Sequence, residues 1–230
     1  MTQQERSART RRLIVEAAGA VFAEKGFNGA TIADVYQRVG LTKGAFYYYF
    51  TGKEDLARAV LGSQTGGVLV FPLVPRTTRL QELVDGGMVF AHQIRSDTTV
   101  QGSLRLSLER GAHELDRRRP YEDWIAHNRM ALSRAKDAGE LHSHVDPETV
   151  AQLLVGAFSG IQVLSEVLSG WSDLEERISV MLQHILPTIA LPGPLAQLDM
   201  SCTRGQRVLD ELQRIQQEED EAAELAAQIA

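Results

Sequence analysis

Gly40 and Thr42 stand two residues apart, and no other feature constrains this chain as strongly. Glycine readily takes the left-handed conformation that ends a helix, whereas a threonine side chain caps the first free N–H groups of a new one. One helix must therefore stop and another start across Leu41 alone. Upstream, Thr31-Ile32-Ala33-Asp34 is a capping box, so the first of the pair begins at Ile32 and turns Ile32, Val35 and Val39 inward. Downstream, Thr42 caps a helix from Lys43 to about Tyr49, anchored by Phe46 and Phe50 four residues apart. Helices this short are marginal alone, so packing must hold them.

The flanks supply that packing. Ile14, Ala17, Ala18, Val21 and Phe22 follow a helical stripe that Gly26 ends, and Thr51-Gly52-Lys53-Glu54 reads as another capping box, opening a helix with Leu56, Ala59 and Val60 inside. Four helices in so short a stretch form a compact head. With Phe46 and Phe50 inward, Thr42, Lys43, Gly44, Tyr47 and Tyr48 face outward. A short helix so exposed, joined to its predecessor by a tight turn, has the layout of a helix-turn-helix whose second helix enters the major groove of DNA. Lys43 is suited to guanine or to a phosphate, and Gly44 admits the DNA backbone to the helix N-terminus. Tyr47 and Lys53 are the expected phosphate clamps, and Thr31, Ala45 and Tyr49 complete the candidate face. Charge agrees: residues 1–58 carry nine Lys/Arg against six acids, although the whole chain is at −6. An acidic remainder repels phosphate and favours one approaching face.

Beyond Gly62 to Arg79, expected as a looser connection with Gly66, Gly67, Pro72 and Pro75, only helical periodicities appear. Leu80, Leu83, Val84, Phe90 and Ile94 predict one helix, Val100, Leu104 and Leu108 another, and Tyr121 to Lys136 a third ended by Gly139. Asp146-Pro147 opens a long apolar helix through Leu164, and Ser172-Asp173-Leu174-Glu175 is expected to cap the next, carrying Ile178, Met181, Leu182, Ile185 and Leu186. Pro192-Gly193-Pro194 breaks the pattern, leaving Arg204 to Ala230 as an acidic amphipathic helix or tail. The expectation is an all-α chain: a helix-turn-helix domain over 1–58, a helical ligand-binding and dimerisation domain over 59–191, and an acidic extension over 192–230.

Thr31-Ile32-Ala33-Asp34-Val35, Val39 through Phe50, and Lys53-Glu54-Asp55-Leu56 together resemble the N-terminal DNA-binding domain of the TetR family of repressors, over about residues 8–58. The resemblance implies a homodimer on a pseudo-palindromic operator, with a helical body that binds a small inducer. It also implies base reading by the short helix and phosphate contact by Tyr47; Tyr49 departs from the histidine many members carry. Pro120-Tyr121-Glu122-Asp123-Trp124, Gln4-Glu5-Arg6 and the Thr-Lys-Gly-Ala helix start further resemble the γ-butyrolactone receptor subgroup of actinomycetes. That implies release from DNA by a lactone or butenolide and control of antibiotic production, with Trp124 in the ligand pocket. An indole provides an apolar wall and one donor, suiting an alkyl lactone. Gln64 and Phe158 are the expected polar anchor and facing wall. Gly156 and Gly160, with Ile178, Leu182 and Ile185, are the expected dimer interface.

Other classes find less support. Cys202 is the sole cysteine, so no disulfide framework is expected, and His142 and His144 are poorly spaced for a metal. The N-terminus has no signal-peptide pattern, and no run of about 18 uninterrupted apolar residues is present. A cytoplasmic protein without cofactor, metal or membrane is expected. No nucleophile–base pair or phosphate loop suggests an enzyme. The alternatives are a TetR-type repressor answering a drug or acyl compound and, more remotely, a helical enzyme or carrier.

Overall fold

The computed structural model describes residues 2–68, 76–109, 116 and 118–229 and, within these, the side chains outside 64–68 and 224–229. Its elements are α1 (Gln3–Gly29), α2 (Ile32–Val39), α3 (Lys43–Tyr49), α4 (Lys53–Val68), α5 (Arg79–Ser96), α6 (Thr98–Leu108), α7 (Arg119–Asp137), α8 (Pro147–Ser169), α9 (Leu174–Ile189), α10 (Pro192–Leu195) and α11 (Arg204–Ile229). Among the described residues, extended pairing is confined to the bridge between Leu141 and Ala190. Contacts divide the chain into two compact units, Met1–Val70 with Gln93–Trp124, and Phe71–His92 with Ile125–Ala230.

In the first unit, the start and stop signals act where they stand. Thr31 accepts from the Asp34 amide while Asp34 reaches back to the Thr31 amide, Gly40 adopts φ 74°, and Thr42 accepts from the Ala45 amide. Gly26 has φ 68°, interrupting α1, whose last residues continue beyond the break. Ile14, Ala18, Val21 and Phe22 of α1 pack with Val35, Phe46, Phe50, Leu56 and Val60, and Leu106 of α6 joins the same core. This α6 lies hard against α1, for a methyl at Gly102 would overlap the Gly19 carbonyl.

Thr51 departs from expectation. Its amide and hydroxyl donate to Asp55 rather than pairing with Glu54, and α4 begins only at Lys53. An aspartate one position further on reaches the same groups, so the box is displaced by one residue. The connection expected from Gly62 is helical through Val68, while Pro72 and Pro75 lie outside the described residues.

In the second unit, Asp146 and Pro147 open α8 as the sequence indicates. Ser172 does not cap α9. The N-cap is Asp173, whose carboxylate instead accepts from Ser165, Ser169 and Arg177. Pro192 to Leu195 makes one turn of helix rather than a plain break. The first half of α11 docks on the body. Asp85 takes Arg204 and Arg76, Arg76 also pairs with Glu211, and Gly205 sits against the Met88 backbone. The Glu218 to Glu221 stretch is exposed.

Helix α8 is long and apolar enough to cross a membrane by length and composition, with a mean hydropathy of 1.5 over an 18-residue window. Its apolar surface is a stripe: Leu153, Gly156, Gly160, Leu164 and Val167 recur at helical spacing and are exposed.

Candidate nucleic-acid and effector sites

The short helix α3 owes its orientation to two buried rings. Phe46 and Phe50 are 0% and 1% exposed, with centroids 5.9 Å apart, and they fix the opposite side outward. Tyr48 is 78% exposed and Tyr47 46%, although Tyr47 keeps an edge contact with Phe46. Phenol rings this exposed are costly on an ordinary surface and useful at a wet one. Thr42, Lys43 and Gly44 are exposed at the start of α3, and a Cβ at Gly44 would meet nothing within 4 Å. Thr31 is exposed at the start of α2. Ala45 is half-buried. The face therefore combines one cation, two phenols, two capping hydroxyls and open backbone N–H groups, which suits phosphate and base edges.

Two members of the expected set are turned to other uses. Tyr49 is half-buried against the core of the first unit and meets Tyr48 edge-on at 5.0 Å, because it lies on the flank of α3 nearer the core. The Lys53 ammonium donates to the carbonyls of Phe27 and Ala30 at 2.9 and 3.2 Å and lies 4.6 Å from the Phe27 ring centre. Two of its three N–H donors are thereby spent inside the fold. Sequence spacing could not show this, since the acceptors lie in the turn between α1 and α2.

Charge is organised around the same turn. Asp34 is held at about 2, below its ordinary 3.8, chiefly by the Lys25 ammonium at 2.7 Å and then by the Thr31 hydroxyl and amide. Arg38 pairs with Glu24 at 2.7 Å, a second link between α1 and α2. Both pairs leave Lys43 without a carboxylate partner of its own, and Arg6, Arg9 and Arg12 extend the exposed cationic surface along α1.

Residues that carry α6 onto the head escaped the sequence reading. Glu109 accepts the Phe27 amide at 2.6 Å, and Arg105 donates to the Ala23 carbonyl at 2.7 Å. Both grip the turn around Gly26. The paired small residues Gly19 and Gly102 were the available signal, yet their partnership is invisible before the fold is known.

The effector residues are placed one by one. Trp124 is half-buried on α7 in the first unit. Phe158 is half-buried on α8 in the second and stacks on Phe90, with centroids 5.4 Å apart. The Gln64 side chain lies outside the described residues. His127, on α7, is pushed below its ordinary value by burial and by Arg134, and so stays neutral near pH 7. His142 and His144 stack at 5.6 Å, and among the described residues no group of three or more His, Cys, Asp or Glu is arranged to hold a metal.

The expected dimer residues divide. Gly156 and Gly160 are exposed, with open space where a side chain would be. Ile185 is half-buried. Ile178 and Leu182, 0% and 3% exposed, instead point into the core of the protomer. The helical period says which residues share a face of α9 but not what covers that face. The outward side of α9 carries Val180 and His184, and together with Ile161 of α8 it borders a groove of about 710 Å³.

Comparison with known proteins agrees with this geometry. The model of bacterial regulatory proteins of the tetR family matches residues 14–60. The A-factor receptor protein of Streptomyces griseus is 37% identical over 86% of this chain and 70% of its own length. A crystal structure of full-length native TylP, a TetR regulator from Streptomyces fradiae, shares 44% identity and a TM-score of 0.83, covering 90% of this chain and 99% of that one. A structure describing control of antibiotic production by a bacterial hormone shares 33% identity and a TM-score of 0.74, over 80% and 98% of the two chains.

Proposed function

Because this chain belongs to the TetR family of bacterial regulatory proteins, we propose that it is a repressor released from its operator by a γ-butyrolactone or butenolide. The observation that carries the DNA half is the α2–α3 pair, in which buried Phe46 and Phe50 leave Thr42, Lys43, Gly44, Tyr47 and Tyr48 outward. Lys43 reads a guanine edge or a phosphate, Tyr47 contacts phosphate, and the N-terminus of α3 receives the backbone. Thr31 and Ala45 border that contact. Lys53 and Tyr49 serve it by holding α3 and its supporting turn in place.

The ligand half is supported by the Pro120 to Trp124 resemblance and by the likeness to an A-factor receptor. Trp124 is the apolar wall of the pocket in this reading, with Phe158 and Gln64 as further lining. The protein acts as a homodimer, supported by the exposed stripe of α8 and the open space at Gly156 and Gly160. A second copy covers apolar surface that would otherwise face water, and a two-fold pair of heads meets half-sites one helical turn apart. The domain plan of 1–58, 59–191 and 192–230 belongs to the same reading, as do a cytoplasmic location and the absence of catalysis.

A gel-shift titration on the chain's own upstream DNA, with and without a panel of γ-butyrolactones and butenolides, tests the reading. It requires a specific shift at moderate salt and its relief by one lactone class; a shift that no lactone relieves removes the ligand assignment.

A further inference from the structure

We propose that Ser103 and Gln93 form the polar end of the effector site, taking a small molecule that presents a carbonyl acceptor and a hydroxyl donor, as a hydroxylated lactone does. The inference rests on the receptor reading above and adds its hydrogen-bonding residues. Ser103 lies in the middle of α6 and is 0% exposed, yet its hydroxyl has no partner, and the amide carbonyl oxygen of Gln93 is likewise buried and unpartnered. Buried polar groups of folded proteins are almost always paired, so two orphans on neighbouring helices call for an explanation.

The default partner for a mid-helix serine is the carbonyl four residues back. Ser107 takes it, donating to the Ser103 carbonyl at 3.0 Å. Ser103 does not make the same bond to Thr99. Gln93 sits in the last turn of α5, just before the Asp97 cap that opens α6. Gln101 ties the two helices there, its amide donating to the Ile94 carbonyl at 2.8 Å. Both orphans are thus mounted on a braced helix pair, in the same compact unit as Trp124.

Their chemistry is complementary. The Ser103 O–H has a proton to give to a carbonyl, whereas the Gln93 carbonyl oxygen can only accept, and so matches a hydroxyl. In a dry site such groups reject a ligand that leaves them unpaired. The same α6 continues to Arg105 and Glu109, which hold Ala23 and Phe27. A ligand bound at Ser103 therefore acts on the helix that grips the head.

The test is calorimetric titration of the full chain with an alkyl γ-butyrolactone bearing one free hydroxyl, and with its deoxy analogue, on wild type, Ser103→Ala and Gln93→Met. Each variant should bind the hydroxylated lactone about tenfold more weakly. The deoxy analogue should bind wild type more weakly than the parent does, and that gap should close in Gln93→Met. Ligand-free Ser103→Ala should melt at the wild-type temperature or above it, because no internal bond is lost. Wild-type affinity in both variants overturns the assignment alone, as does a lowered Tm in ligand-free Ser103→Ala, which would mean that the hydroxyl is satisfied within the protein or by a buried water. Failure of every lactone to bind wild type, with operator binding intact, overturns the receptor reading and this assignment together.

Discussion

The Glu109 carboxylate accepts the Phe27 amide at 2.6 Å, joining residues 82 apart in sequence. Phe27 directly follows Gly26, the left-handed break in α1, and its own carbonyl takes the Lys53 ammonium. One residue thus connects α6, α1 and α4 ahead of the DNA-facing pair.

Glu109→Ala should cost about 1–3 kcal/mol of stability, because it leaves a part-buried amide without its acceptor. It should also weaken the response of the head to ligand, since α6 loses a hold on the turn that carries α2. Urea unfolding measures the first effect. The lactone concentration that releases operator measures the second, and should rise in the variant.

The link between Lys25 and Asp34 is a pH-sensitive element of the head. The Asp34 carboxyl is at about 2 in the folded chain against an ordinary 3.8, so the unfolded chain takes up the proton first. The stabilisation is complete above about 4 and is lost as pH falls through about 2. Wild type should lose stability across that window more steeply than Asp34→Asn, which should be less stable at pH 7 and flatter below it. Circular dichroism melts at stepped pH check both slopes.

Much of the head was legible because its signals are local. Thr31 with Asp34, Gly40 and Thr42 each act within four residues, where chain connectivity already holds the partners together. Long-range partners were not legible. Lys53 has the spacing of a phosphate clamp, but its acceptors are the carbonyls of Phe27 and Ala30. Ile178 and Leu182 share a helical face with interface candidates, yet that face turns inward. Periodicity supplies a face and tertiary packing supplies its neighbour. The same limit hid Gly102 against Gly19 and the orphaned hydroxyl of Ser103.

Lys43→Ala should weaken operator binding and lower the slope of log K against log salt by about one, if its ammonium sits at a phosphate. A change confined to one operator position would instead place it at a base. Tyr47→Ala should weaken binding evenly across sequences. Fluorescence anisotropy over a salt series, on the natural site and on point-substituted sites, separates these outcomes.

Val167 is 76% exposed on the apolar stripe of α8. Placing a charge in a contact between two copies leaves it desolvated and unpaired, so Val167→Glu should convert the dimer to monomer. Operator affinity should fall with it, because a lone head holds one half-site. Light scattering coupled to size exclusion reads the mass directly.

The central claim is that operator and lactone bind the same chain antagonistically. The most direct measurement is the operator Kd at fixed salt, with and without saturating lactone, alongside the lactone Kd of free and operator-bound protein. Linkage requires the two ratios to be equal. The account predicts that lactone raises the operator Kd at least about tenfold, and that operator raises the lactone Kd by the same factor. An operator Kd that saturating lactone leaves unchanged, while the lactone still binds, would contradict it.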